Sequence, residues 1–142
     1  MAFILDTSVA LAWILPDEGN EATDALADRL VRETALVPAI WLLEVGNALL
    51  VAVRRGRLSE NELARLTSGL AALPIEVEPG DSERAFGDVL DLARKLDLSA
   101  YDAAYLELAR RRQLPLATLD RRLRDACARL GVAALPEAPK KP

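Results

Sequence analysis

The sequence predicts an α/β domain whose central sheet is parallel and covered on both faces. Two observations carry that expectation. Short, mostly apolar runs recur along the chain at Phe3-Ile4-Leu5, Ala35-Leu36-Val37, Ile75-Glu76-Val77, Leu116-Ala117-Thr118 and Val132 to Leu135. Runs of that length and character suit strands buried on both sides. Between them lie stretches with helical spacing, and strands alternating with helices build parallel βαβ units. With 142 residues, 51% of them hydrophobic, the chain fits one domain with a full core, expected over residues 1–136 with a frayed tail at 137–142. No internal repeat or low-complexity linker divides it.

The elements follow from local signals. After the first strand, Thr7 or Ser8 can cap a helix that runs to about Ile14, where Pro16 stops it. Asp17 to Asn20 reads as a turn, and Ala22, Ala25, Leu26, Arg29 and Leu30 give helical spacing from Glu21 to Arg32. Pro38 opens a helix from about Ala39 to Arg55, ended by Gly56. Ser59 to Glu62 forms a capping box for a helix to about Leu73, broken by Pro74. Pro79-Gly80 turns the chain into a helix from Ser82 to Leu96, and Ser99 caps another to Arg112. The last helix follows Asp120, ends at Gly131, and leads to a final strand.

Composition removes several chemistries. There is no histidine, hence no Ser-His-Asp or Cys-His nucleophile, no histidine zinc site and no histidine base. The single cysteine, Cys127, allows neither an intrachain disulfide nor a thiolate metal cage, and a reducing cytoplasm is the expected compartment. No basic, apolar leader is visible at the N-terminus, and no apolar stretch reaches the ~18 uncharged residues that span a bilayer. The net charge of −4 argues against tight nonspecific nucleic-acid binding. Arginines nevertheless cluster at Arg54, Arg55 and Arg57, at Arg110 to Arg112, and at Arg121, Arg122 and Arg124. The first two clusters read as solvated helix ends. The third fits that description less well because Arg121 lies near a helix start.

Four acids stand out by position. Asp6 ends the first strand, Glu44 interrupts an apolar helix, Asp102 lies just inside a helix start, and Asp120 follows the fourth strand. Each has an ordinary explanation. Asp6 suits a turn or cap, Asp102 a capping box with Ser99, and Asp120 an N-cap. Glu44 could answer an arginine elsewhere, since an unpaired buried carboxylate is costly. Taken together they suggest oxygen ligands for a hard divalent cation, which would offset their repulsion. Functional groups of parallel sheets gather beyond the carboxyl ends of strands, where Asp6 and Asp120 belong. Ser8 and Thr118 are candidate helpers, and Asn47, one turn from Glu44, can orient it or meet a substrate. Trp13, Trp41 and Leu42 are candidate subunit contacts, with core packing as the alternative.

Four segments in this order resemble the PIN-domain ribonucleases found as VapC-type toxins of type II toxin–antitoxin pairs. They are Phe3-Ile4-Leu5-Asp6-Thr7-Ser8, Leu43-Glu44-Val45-Gly46-Asn47-Ala48-Leu49, Leu98 to Leu106 around Asp102, and Leu116-Ala117-Thr118-Leu119-Asp120-Arg121-Arg122-Leu123. The resemblance covers nearly the whole chain. It implies a three-layer α/β/α fold and an endoribonuclease using Mg2+ or Mn2+ to activate water. Its catalytic acids match Asp6, Glu44, Asp102 and Asp120, and its supporting positions match Ser8, Asn47 and Thr118. Asp6 and Asp102 are then the direct metal ligands. Glu44 could ligate or orient the attacking water, and Asp120 could complete a second, substrate-dependent metal position, with one ion or two both open. Arg121 and Arg122 are candidates for holding RNA phosphates. The resemblance also implies a homodimer and a cognate VapB-type antitoxin.

Other readings remain at this level. A receiver-like domain would want a lysine at a strand end, whereas Lys95 falls in a helix. A phosphatase with an aspartyl nucleophile would want a second acid where Ser8 stands. A noncatalytic module could use the acids to receive a basic peptide, and a nuclease of this kind could process RNA without an antitoxin.

Overall fold

The structure is a computed structural model, describing residues 1–15 and 17–138. Pro16, expected to stop the first helix, and residues 139–142 of the expected tail lie outside the described residues.

The chain runs β1 (Ala2–Leu5), α1 (Thr7–Ile14), α2 (Glu21–Asp28) with a 3-10 turn (Arg29–Val31), β2 (Thr34–Pro38), α3 (Ile40–Arg54), α4 (Glu60–Ala72) and β3 (Ile75–Glu78). It continues through α5 (Ser82–Arg84), a π-helical turn (Ala85–Val89), α6 (Leu90–Leu96), α7 (Ala100–Arg112), β4 (Leu116–Ala117), α8 (Arg121–Leu130) and β5 (Ala134–Leu135). The five strands form one parallel sheet in the order β3-β2-β1-β4-β5, with helices packed against it in a three-layer α/β/α arrangement.

That order explains the burial. β1 is the middle strand, flanked by β2 and β4, and Phe3, Ile4 and Leu5 are each 0% exposed. A strand covered by helices on both faces can carry no polar side chain at low cost, which is why β1 reads as an unbroken apolar run. α7 supplies Tyr105, Leu106 and Leu108 to the same core, and α3 supplies Trp41, Val45 and Leu49. The order also creates a switch point. Chain connections leave β1 toward β2 and leave β4 toward β5, and in parallel sheets functional groups gather beyond the carboxyl ends of the strands at such a point.

Most local signals act as expected. Ser59 and Glu62 form a reciprocal capping box at the start of α4, Ser99 accepts the Asp102 N–H, and Asp120 accepts the Leu123 N–H. Gly56 and Gly131 close α3 and α8 at φ +75 and +71, conformations that L side chains rarely adopt.

Some expectations are corrected. The N-cap of α1 is Asp6, not Thr7 or Ser8, and its side chain makes no capping bond. Pro38 closes β2 instead of opening α3. The helix expected over Ser82 to Leu96 is interrupted by the π-helical turn. The last turn of the helix expected to reach Arg32 tightens into 3-10 geometry. Trp41 is buried in the core and Trp13 donates Nε1 to the Thr23 carbonyl at 2.7 Å, so of the three candidate contacts only Leu42 is largely exposed. No helix among the described residues is long and apolar enough to cross a membrane.

Truncating the middle strand should be costly. Ile4→Ala is expected to destabilise the protein by about 2–5 kcal/mol, because the packed layers cannot collapse into the void. Ser59→Ala, removing one exposed cap, should cost only about 1 kcal/mol. Urea unfolding of the two variants checks both, and equal losses would contradict this account of the core.

Candidate active site

The sequence places Asp6 one residue beyond β1, and the sheet then buries it. Its backbone N–H still pairs with the Ala117 carbonyl at 2.9 Å, extending the β1–β4 ladder. The carboxylate is 6% exposed and must therefore find partners. Its Oδ2 accepts the Ser8 hydroxyl and the Thr118 hydroxyl, each at 2.7 Å. Those hydroxyl oxygens accept in turn from the chain leaving β4. Ser8 Oγ takes the Leu119 N–H at 2.9 Å and Thr118 Oγ1 takes the Asp120 N–H at 3.1 Å. The two strand exits are thus stitched together through one carboxylate oxygen. Asp6 Oδ1 has no hydrogen-bond partner among the described residues.

Glu44 comes from α3 and is half-buried. The expected alternative of an arginine partner does not hold, since no salt bridge among the described residues reaches it. Its Oε1 accepts the Tyr105 hydroxyl at 2.5 Å, and Thr7 Oγ1 lies 3.4 Å from Oε1 and 3.0 Å from the phenol oxygen. Asn47 is exposed and makes no hydrogen bond to Glu44, so Tyr105 and Thr7 take the orienting place considered for it. Sequence reasoning gave neither residue this place beside Glu44. A usable signal existed: a tyrosine inside an apolar helix needs a hydroxyl partner once buried, and Glu44 needed a donor.

Asp102 stands one turn before Tyr105 on α7 and is half-buried. The helix start around it is more open than expected, because Tyr101 is 60% exposed. Asp120 is exposed; its Oδ1 caps α8, and Oδ2 has no hydrogen-bond partner among the described residues.

The electrostatics join these four acids. Burial pushes the Glu44 carboxyl above its ordinary range, and the negative charges of Asp6 and Asp102 push it further, against the hydrogen bonds from Tyr105 and Thr7. Asp102 is raised first by burial, then by Asp120 and Asp6, with Arg122 opposing. Burial, then the hydrogen bond to Glu44, raises Tyr105 far enough that the phenol keeps its proton and serves Glu44 as a donor.

A second acidic cluster provides the contrast. Glu78 at the end of β3 and the buried Glu107 of α7 both bind Arg111, at 2.6 and 2.8 Å, and Arg112 also reaches Glu78. These ion pairs hold the Glu78 carboxyl below its usual range. Arg111 and Arg112 are exposed at the end of α7, as expected, and also serve as ion-pair partners of these acids. None of Asp6, Glu44, Asp102 and Asp120 forms a salt bridge among the described residues. Arg121 is exposed, and Arg122 donates to the Asp97 carbonyl at 2.7 Å. Arg124 binds the carbonyls of Thr118, Leu135 and Pro136.

Among the described residues, no group of three or more acids is arranged as a ready-made ion cage. The donor chemistry nevertheless suits a hard cation. All the groups are oxygen and they repel one another; among the described residues no side-chain cation forms a salt bridge with them, and Asp6 and Glu44 each keep one oxygen without a hydrogen-bond partner.

Fold and site together define a class: a three-layer α/β/α protein with electrostatically coupled acids at the switch point of a parallel sheet. The profile of the PIN domain matches residues 3–129, and the chain belongs to the PIN domain family. Over 125 residues it is 30% identical to Ribonuclease VapC3 of Pyrobaculum aerophilum, an alignment spanning 88% of this chain and 94% of that protein. Its fold is similar to the crystal structure of PAE2754 from the same organism, with TM-score 0.67, 25% identity, and coverage of 95% of this chain and 84% of that one. A toxin–antitoxin complex from Klebsiella pneumoniae shares the fold at TM-score 0.60 and 16% identity, covering 83% and 86% of the two chains.

The raised carboxyls make a pH prediction. A carboxyl whose folded pKa exceeds its unfolded value contributes stability below the unfolded value and loses it as pH rises through the folded one. At pH 7 the ionised Glu44 and Asp102 therefore oppose folding. In metal-free protein, Glu44→Gln and Asp102→Asn should melt above wild type at pH 7. The gap should close as pH falls toward the ordinary values of 4.5 and 3.8. Variants that melt below wild type at pH 7 would show that the acids are not held against repulsion.

Proposed function

We propose that this chain is a metal-dependent endoribonuclease that hydrolyses RNA phosphodiester bonds, and that it is the toxin of a toxin–antitoxin pair. The observation that carries the reading is the contrast between two acid clusters. Glu78 and Glu107 are neutralised by arginine, whereas the four acids at the switch point repel one another with no salt-bridge partner among the described residues. A fold does not retain such repulsion for stability, and perturbed carboxyls in a crevice mark functional sites. Kinship with a protein named as a ribonuclease supplies the reaction class.

In this reading Asp6 and Asp102 would hold Mg2+ or Mn2+, with Glu44 and Asp120 as further donors. A bound ion would acidify water and offset charge on the phosphate. Ser8 and Thr118 fix the Asp6 carboxylate by occupying Oδ2, which leaves Oδ1 for the pocket. Tyr105 occupies Oε1 of Glu44, leaving Oε2 to ligate or to accept a proton from the attacking water. Asn47, exposed one turn beyond Glu44, meets the substrate. Arg121 and Arg122, at the first turn of α8 beside Asp120, hold RNA phosphates, so a protein of net charge −4 binds RNA through a local basic edge.

The nuclease domain occupies residues 1–136 in this proposal and works in the cytoplasm, where Cys127, buried in the core, stays reduced. Its antitoxin is a VapB-type protein that blocks the acidic pocket, in keeping with the toxin–antitoxin complex that shares the fold. The active form is a homodimer, with the exposed Leu42 and Leu43 of α3 as apolar contact candidates.

Purified chain, free of any antitoxin, should cut total RNA with Mg2+ or Mn2+ and stop when the ion is chelated. Asp6→Asn and Asp102→Asn should each lower the rate at least about 100-fold, because a lost ligand removes the ion's contribution to the barrier. Circular dichroism should show both variants folded. Equal RNA decay in wild type and variants would assign the cutting to a contaminant and end the nuclease reading. Added Mn2+ at about 100 times its dissociation constant should stabilise wild type by about 2.7 kcal/mol and leave the Asp6→Asn variant nearly unmoved.

A further inference from the structure

We infer that Tyr105 is a positioning residue for this reaction: with Thr7, it forms a clamp that fixes which oxygen of Glu44 faces the acidic pocket. The inference rests on the nuclease reading above and extends it to residues that need touch neither ion nor RNA.

The geometry starts from burial. Tyr105 is 0% exposed, packed in the same core as β1 and α3, so its ring cannot move without disturbing that packing. Its hydroxyl nevertheless reaches the pocket edge and donates to Glu44 Oε1 at 2.5 Å. A phenol has one proton. With that proton on Glu44, the phenol oxygen acts as an acceptor toward Thr7, whose Oγ1 is 3.0 Å away. Thr7 is also 3.4 Å from Oε1, so the hydroxyl of the first residue of α1 lies against both groups.

Three separate segments therefore meet at one carboxylate oxygen: α1 through Thr7, α3 through Glu44 and α7 through Tyr105. A glutamate has three side-chain torsions, and fixing them carries an entropy cost. A rigid, buried donor meets that cost during folding, before any ion arrives. Tyr105 and Asp102 also lie one turn apart on α7, so the same helix that supplies an acid sets the orientation of its opposite number on α3. Asp6 is treated likewise, with Ser8 and Thr118 holding Oδ2. Each of these two acids has one oxygen tied by hydroxyls and the other without a hydrogen-bond partner among the described residues. Partners of this kind tune a metal site as strongly as some direct ligands do.

The test measures Mn2+ binding to the purified full chain by calorimetry, without RNA, and then RNA cleavage. Tyr105→Phe keeps the ring and removes only the hydroxyl. It should weaken Mn2+ binding about 10- to 100-fold. With total RNA it should lower the saturated cleavage rate by a similar factor, while the RNA concentration giving half the maximal rate stays within twofold. Thr7→Val should move both quantities in the same direction by a smaller factor, and Thr7→Ser, which returns the hydroxyl, should recover them. Leu26→Val, a core change on α2, controls for stability: it should lower the melting temperature yet leave Mn2+ affinity within twofold. If Tyr105→Phe fails to fold, the Thr7 pair decides. Binding and cleavage within twofold of wild type in folded Tyr105→Phe, or no difference between Thr7→Val and Thr7→Ser, would overturn the clamp while leaving the nuclease reading intact. A wild-type chain that neither binds Mn2+ nor cuts RNA would overturn both.

Discussion

The carboxylate of Asp6 is the constraint on which the site depends. It sits where the most buried strand of the sheet ends, and it is almost entirely shielded from water. A group that polar at that depth must be satisfied by the protein. The solution uses two hydroxyls that are each anchored from the other side by backbone N–H groups leaving β4. One oxygen atom therefore organises two loops more than a hundred residues apart in sequence. Ser8, Thr118, Leu119 and Asp120 take their places relative to it, and its charge raises the carboxyls of Glu44 and Asp102.

The rest of the pocket follows from how charge is distributed between two neighbouring regions. α7 carries acids toward both. Glu107 lies near its end and is matched by Arg111, whereas Asp102 lies near its start with no such match. The arginines at the end of α7 also suit the negative end of the helix dipole, so they serve the fold twice. At the other end the dipole favours Asp102, but burial and the acids around it outweigh that and raise its pKa. The same helix thus contributes a stabilising ion-pair network and part of a repulsive cluster. That division separates structure from function more clearly than the net charge does.

Much of the fold was legible because its signals are local. Ser59 to Glu62, Ser99 and Asp120 are caps whose chemistry acts within a few residues, and Gly56 and Gly131 mark helix ends through their own backbone freedom. The apolar character of Phe3 to Leu5 reported its burial directly. The misreadings arose where a neighbour far along the chain outweighed the local preference. Thr7 and Ser8 looked like helix caps, yet their hydroxyls turn to Glu44, Tyr105 and Asp6. Asn47 lay on the right helical face for Glu44, yet a tyrosine on another helix holds that carboxylate. Arg111 and Arg112 are the exposed helix end that was expected, but their pairing with Glu78 across from β3 was not visible locally.

The sequence by itself determined the alternation of strands and helices, the exclusion of histidine and thiolate chemistry, and the four unusual acids. These are properties of composition and of periodicity over a few turns. Only the tertiary structure decided the strand order β3-β2-β1-β4-β5 and hence which strand ends share a crevice. It alone showed which carboxylates have arginine partners and which have hydroxyls. The reason is physical: a hydrogen bond or a Coulomb interaction depends on distances of a few ångströms, and for residues on different elements sheet order and helix packing set those distances.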